Sequence, residues 1–246
     1  MNERMRLDLA LEARGLLPSR ARARDAIKRG TVTVNGVAAS KAHQLVAAGD
    51  AIALDDPAAG YVSRAALKLA AGLDAAGISA AGKTCLDVGA STGGFTQVLL
   101  ERGAAKVYAV DVGHDQLHAS LRGDARVVSL EGQNARELDT GLIAEPIDLL
   151  VCDISFVSVV KVLAAPLALC RAGADAVVLI KPQFEVGREN VGRGGIVTDQ
   201  AEIARASDAV LAFMAAQGFA HRVSLPSPIS GGDGNRETVA VFGKAR

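Results

Sequence analysis

The chain has 246 residues, half of them hydrophobic, with 27 basic against 27 acidic side chains and a formal net charge of zero. That length and composition exclude a disordered chain and allow one large domain, or a large and a small one, around a substantial core. The neutrality conceals a basic N-terminus, because residues 1–41 hold nine Lys/Arg against four Asp/Glu.

In chain order, Leu7, Ala10 and Leu11 keep a helical period that Gly15 stops, and Pro18-Ser19 restarts a helix that Gly30 ends. Thr31 to Val37 then alternates as a strand into an Asn35-Gly36 hairpin turn. Residues 1–56 therefore read as a small α+β domain, and the turn-forming run Asp55 to Gly60 places a linker over residues 57–62. Arg20, Arg24 and Lys28 recur every four residues and share one helix face. Arg6, Arg14 and Arg29 lie close in sequence, and Asn35 and Lys41 flank the hairpin. Such a ridge is either a solvated face or a contact for a polyanion.

Residues 63–246 alternate between apolar strands and helices. A helix is expected from 65 to 77. Strands follow near 84–88, 106–111, 126–130, 148–153, 175–181, 219–225 and 237–242, with helices near 93–102, 115–121, 159–171 and 199–217. The expected fold class is α/β, a parallel Rossmann-like sheet with helices on both faces and ligands at the carboxyl ends of its strands. Cys85, Cys152 and Cys170 sit in apolar runs without CxxC or His spacing, so buried reduced thiols are expected and no metal site. The first eight residues lack the apolar stretch of a secretion signal. The longest apolar region, 157–180, is broken by Lys161, Pro166, Arg171 and Asp175, so no membrane span is expected and a cytoplasmic location is.

The most informative segment is Cys85-Leu-Asp-Val-Gly-Ala-Ser-Thr-Gly-Gly-Phe-Thr-Gln97, a strand, a glycine turn and a helix start. Gly89, Gly93 and Gly94 let backbone approach a ligand closely, and the helix opening after Gly94 points free N–H groups toward the turn. Asp111 follows about twenty residues on, where such folds offer a carboxylate to ribose hydroxyls. A dinucleotide fingerprint needs glycine where Ser91 stands, which disfavours a nicotinamide cofactor. A nucleoside ligand without phosphates, S-adenosylmethionine, fits better. Its expected contacts are Asp87, Gly89, Ala90, Ser91, Thr92, Gly93, Gly94, Phe95, Asp111, Val112, Asn134 and Asp153.

Four further polar residues stand at ends of expected elements. Asp153 closes one apolar run, and Lys181 closes another just before Pro182, which forces extended backbone. Lys68 lies on the first helix of the second domain, and Glu237 follows the Gly231 to Arg236 loop. Singly, each has an ordinary explanation as a solvated lysine, a strand-edge charge or a helix cap. A lysine directly after buried apolar residues is harder to dismiss, since a buried ammonium is costly unless paired. The glycine-rich run 187–195 beside the Lys181 strand reads as a mobile loop or an ordinary surface excursion.

The order Arg6-Leu-Asp, Arg14-Gly-Leu, Ser19-Arg20, Ala23, Ile27, Gly30 and Val32-Thr-Val-Asn-Gly resembles the small RNA-binding S4 domain over residues 4 to about 54. Tyr61 to Leu69, Leu86 to Thr96, Cys152-Asp-Ile-Ser-Phe, Ile180-Lys-Pro-Gln-Phe-Glu-Val-Gly and Gly234-Asn-Arg-Glu237 together resemble the TlyA family, which joins an S4 domain to an FtsJ-like methyltransferase. The resemblance implies S-adenosylmethionine-dependent 2′-O-methylation of a ribosomal RNA ribose, typically on cytidine, with ribosomal RNA or a ribosomal subunit as partner and no metal. It carries a Lys-Asp-Lys-Glu tetrad onto Lys68, Asp153, Lys181 and Glu237. Lys181 is then the proposed base, Lys68 stabilises oxyanion charge, and Asp153 and Glu237 orient the amines. RNA contacts are expected from Arg6, Arg14, Arg20, Arg24, Lys28, Arg29, Asn35 and Lys41. The chain ends nine residues after Glu237, without the longer tail of members with broader range, which favours the large subunit over the small. The alternatives are a non-catalytic ribosome-assembly factor and a membrane-active haemolysin, a label that members sometimes carry.

Overall fold

The computed structural model describes residues 4–231 and 234–246. Two compact units divide the chain, Met1–Gly60 and Tyr61–Arg246.

In the first unit, β1 (Arg4–Arg6) leads into α1 (Leu7–Ala13) and α2 (Arg20–Lys28), followed by β2 (Val32–Val34), β3 (Val37–Ala38), β4 (Leu45–Ala47) and β5 (Ile52–Leu54). Ser19 caps α2 by accepting the Arg22 N–H. The expected hairpin is present: Asn35 and Gly36 both have positive φ, as a two-residue turn between strands requires, and Val34 faces Val37. Strands β1, β4 and β5 are additions to the expected elements, each only three residues long, too short for an alternating pattern to declare itself. Leu7, Leu11, Leu17, Ala23, Ile27, Val32 and Val46 form a small core. Charge pairs reinforce it. Asp8, fully buried, accepts two bonds from Arg6 at 2.9 and 3.0 Å and one from Arg24 at 2.9 Å, with Arg20 at 3.6 Å. Arg29 grips Asp56 with two 2.7 Å bonds, and Arg22 donates to the Ala58 carbonyl. The first half of the expected linker thus packs on the first unit, while Val62 is bonded to Gln97 in the second.

In the second unit, α3 (Ala66–Ala76) precedes β6 (Thr84–Val88), α4 (Gly94–Glu101), β7 (Lys106–Asp111), α5 (Ala119–Arg122), β8 (Val127–Glu131), β9 (Ile147–Cys152), α6 (Ala164–Ala168), β10 (Cys170–Ile180), α7 (Pro182–Glu185), α8 (Gln200–Ala216), β11 (Phe219–Pro226) and β12 (Thr238–Lys244). The sheet order is β11-β12-β10-β9-β6-β7-β8. Helices cover both faces: α6 and α8 bring Leu167, Val210 and Met214 to one, and α3 and α4 bring Leu69, Leu73, Phe95 and Leu99 to the other. The expectation of a parallel sheet needs one correction. Strand β12 runs antiparallel between β10 and β11, because the segment joining it to β11 is too short to hold a crossover helix. Two helices are also shorter than expected. The 159–171 helix reduces to a 3₁₀ turn at Val159–Lys161 and to α6, since Cys170 already opens β10, and the 115–121 helix reduces to α5, with Asp115 at φ +54°.

Chain order reverses between β6 and β9, so a crevice opens where these parallel strands end. Gly89 and Asp153 immediately follow β6 and β9. The register places Ile180 opposite Thr238, so Lys181 and Glu237 are the next residues beyond that ladder, at the same edge.

Substituting Asp8 by Asn should destabilise the first unit by on the order of 1 kcal/mol or more, several degrees of melting temperature. Its arginine partners hold the Asp8 carboxyl well below the usual carboxylate range. The parent therefore has this stabilisation above about pH 4 and loses it as pH falls further. Melting curves between pH 2 and 7 should show a steeper acid loss in the parent than in Asp8→Asn.

Candidate active site

The turn after β6 is shaped by backbone that side chains disfavour. Gly89 has φ +85°, and a Cβ there would lie 3.0 Å from the Asp153 carbonyl oxygen, so the two strand ends touch only because residue 89 has no side chain. Ser91, at φ +47°, donates its N–H to one Asp111 oxygen at 2.8 Å, while Gly113 donates to the other at 2.8 Å. One carboxylate thereby fixes the turns after β6 and β7. Beneath them, Asp87 is fully buried and accepts the Thr96 hydroxyl at 2.7 Å. Burial pushes the Asp87 carboxyl up to about 7, against the pull of Thr96 and with the nearby charges of Asp153 and Asp111 adding to the rise.

Two cavities meet at this turn. The larger, about 400 Å³, is lined by Gly89, Ser91, Asp111, Val112, Asn134 and Asp153 of the expected set, with apolar walls from Val88, Val110, Ile154 and Val162. The smaller, about 180 Å³, is lined by Ala90, Thr92, Gly94 and Phe95, with Ser63 and Lys181 on its wall. Gly89, Ser91, Asp153 and Ser155 line both. Asp87 and Gly93 line neither: Asp87 lies under the turn, and Gly93, at φ +99°, caps α4.

The four residues from dispersed segments form one buried chain of charges. Lys68 is hydrogen-bonded to Glu237, 169 residues away, and lies 3.9 Å from Asp153. Lys181 lies 2.6 Å from the other Asp153 oxygen and donates to the Ser155 hydroxyl at 2.8 Å. Lys68, Lys181 and Glu237 are each no more than 6% exposed. Two ammonium groups and two carboxylates balance, which makes their burial tolerable. Sequence reasoning missed Ser155 and Phe156. Phe156 sits at φ +69°, is 92% exposed, lines the larger cavity and packs on Phe184 with ring centroids 5.4 Å apart. Its quoted motif was the available signal, but no pattern announces a positive φ at phenylalanine.

The structure sorts the expected RNA contacts. Arg6, Arg20 and Arg24 converge on Asp8 with their side chains 41–52% exposed. Arg14 is bonded to the carbonyls of Ala47, Ala48 and Asp50, Asn35 to Asp50 and Ala51, and Arg29 to Asp25 and Asp56. Lys28 and Lys41 are exposed. The 187–195 run forms two short 3₁₀ turns held from outside: Asn190 donates to Glu202, and Asn235 donates to the Gly195 carbonyl and accepts the Val197 N–H. In the Gly231 to Arg236 loop, Gly232 and Asp233 lie outside the described residues. Among the described residues no helix is long and apolar enough to cross a membrane, and no group of three His, Cys, Asp or Glu side chains is arranged to hold a metal.

A mostly parallel sheet with one antiparallel strand beside its edge, and paired cavities at its strand ends, defines a Rossmann-like methyltransferase fold. Residues 61–244 match the FtsJ-like methyltransferase family and residues 5–52 the S4 domain. The chain is 46% identical to the 16S/23S rRNA (cytidine-2′-O)-methyltransferase TlyA of Mycobacterium tuberculosis, over 96% of this chain and 89% of that protein. It is 41% identical to Hemolysin A of Brachyspira hyodysenteriae, over 97% of this chain and 99% of that one. A solved structure of a hemolysin-named protein from Streptococcus thermophilus superposes with a TM-score of 0.77 at 36% identity, covering 100% of this chain and 90% of that one. The chain therefore belongs to the TlyA family of FtsJ-like methyltransferases that carry an S4 domain.

The raised Asp87 carboxyl gives a prediction about stability. Between about pH 4 and 7 the folded chain keeps a proton that the unfolded chain has released, so this group's contribution to stability falls as pH rises through that window. Asp87→Asn can still accept the Thr96 hydroxyl and removes the titration. Its melting temperature should gain on the parent's between pH 5 and 8, and melts across that range measure the difference.

Proposed function

We propose that the chain methylates the ribose 2′-hydroxyl of a cytidine in ribosomal RNA, with S-adenosylmethionine as donor. The observation that carries this reading is the Lys68–Glu237 and Asp153–Lys181 chain, whose Asp153 lines both cavities and whose Lys181 lines the smaller one. A ribose-binding carboxylate, Asp111, and apolar walls suit the larger cavity to adenosine. The adjoining smaller cavity, reaching Lys181, suits the methionyl part. When bound, S-adenosylmethionine supplies a methyl group made electrophilic by its sulfonium.

The chain's own residues supply the rest. A ribose hydroxyl is a poor nucleophile near neutral pH and must be close, aimed and at least partly deprotonated. Lys181, once it has released its own proton to solvent, accepts that proton, and Asp153 and Ser155 fix where its nitrogen stands. Lys68, held by Glu237, keeps a positive charge beside the developing alkoxide. Residues 1–56 are the RNA-binding domain, joined through 57–62 to the catalytic domain 63–246. The half-exposed guanidiniums of Arg6, Arg20 and Arg24, with Lys28 and Lys41, contact phosphates and position the RNA without choosing a base. Phe156 offers an exposed ring on which a nucleobase can stack. This substrate implies a cytoplasmic protein that works with ribosomes or their precursors. The hemolysin names among the relatives carry no such chemistry.

Two substitutions separate binding from chemistry. Asp111→Ala removes the ribose acceptor and frees both turns, so calorimetry should show S-adenosylmethionine affinity reduced at least about tenfold. Lys181→Ala should keep cofactor and RNA binding and lose roughly 100- to 10,000-fold in single-turnover methylation, the usual contribution of a positioned base. Lys181→Arg should fail almost as badly, because a guanidinium keeps the charge but does not release its proton. Near-parental turnover in the Arg variant would make Lys181 a charge stabiliser rather than the base.

A further inference from the structure

Glu185 is a half-buried carboxylate that the proposed chemistry does not use. It ends α7, four residues after Lys181, and both of its oxygens are engaged by the loop that follows Asp153. One accepts the Ser158 hydroxyl at 2.6 Å and the other the Val159 N–H at 2.9 Å. Val159 opens a 3₁₀ turn, so its N–H needs a partner from outside that turn. The loop thus attached carries Asp153 and Ser155, which hold Lys181, and Phe156, whose backbone is in the left-handed region. A phenylalanine in that conformation persists only where its surroundings hold it. Phe156 against Phe184 crosses the same seam. The loop is therefore tied to the 181–185 segment at both ends, by Lys181 at the start and by Glu185 at the finish.

We propose that Glu185 is a positioning residue for methyl transfer: its carboxylate clasps the 153–159 loop to the segment carrying Lys181 and so fixes Asp153, Ser155 and Phe156 relative to the reacting lysine. The proposal rests on the methyltransferase reading above. The side-chain length matters, because both acceptors must reach across the seam, and the negative charge does not. A glutamine can accept the Val159 N–H with its oxygen and donate to the Ser158 hydroxyl with its amide.

The test uses the full chain with Glu185→Ala, Glu185→Gln and Glu185→Asp, read by single-turnover methylation of ribosomal RNA, by calorimetry with S-adenosylmethionine, and by amide exchange at Val159. The expected result is at least about a tenfold loss of turnover in the Ala and Asp variants, as displacements near 1 Å produce. Cofactor affinity should stay within a few-fold, Val159 exchange should accelerate, and turnover should recover in Gln. An Ala variant that turns over like the parent overturns the proposal, and so does a Gln variant as impaired as Ala, which would make charge the active property. If the parent transfers no methyl group to RNA, the functional reading fails and exchange decides the clasp: unchanged Val159 protection in the Ala variant overturns it, and lost protection in Ala with recovery in Gln upholds it.

Discussion

The Asp153 carboxylate is the constraint on which the site depends. It immediately follows β9 at the point where strand order reverses, stands 2.6 Å from Lys181 and 3.9 Å from Lys68, and lines both cavities. Without it two buried ammonium groups would face each other with Glu237 as the only carboxylate in their chain, an arrangement that low-dielectric surroundings penalise strongly. Its position is set in turn by backbone: the Asp153 N–H bonds to the Val88 carbonyl, and Gly89 leaves room for the Asp153 carbonyl. The two cavities and the Asp153 centre of the chain of charges are thus built on the same two strand ends.

The antiparallel strand completes that arrangement. A parallel last strand would begin at the opposite edge of the sheet and carry Glu237 away from the lysines. Because β12 descends between β10 and β11, the residue just before it stands beside the residue just after β10. The same hairpin brings Asn235 against the 187–197 segment, so the pieces flanking Lys181 and Glu237 are joined by hydrogen bonds as well as by the sheet.

Much of this was legible in the sequence, for reasons that also mark where legibility ends. Strands β6, β7 and β9 are largely apolar runs bounded by glycine or charge, and their positions follow directly. An apolar run carries no direction, so the reversal of β12 could not be read from it. Pro166 and Cys170 sit in a stretch whose composition suits a helix, and the tertiary demand for a long central β10 overrode that preference. Lys68, Asp153, Lys181 and Glu237 stood out by type and context, yet the pairing of Lys68 with Glu237 arises only on folding. Ser155, Phe156 and Glu185 were inside the recognised motifs without a visible role, since a hydroxyl contact, a positive φ and a clasp across two loops leave no periodic trace. In the first unit the helical face of Arg20, Arg24 and Lys28 was readable, but not that Asp8 lies buried beneath two of these arginines.

The most direct measurement is to incubate purified chain with methyl-labelled S-adenosylmethionine and ribosomal RNA or subunits, then map the label by its resistance to alkaline cleavage. The account predicts label on the 2′-oxygen of a cytidine in ribosomal RNA. Label on a base, or none on any RNA or subunit from an otherwise folded, cofactor-binding chain, would contradict it.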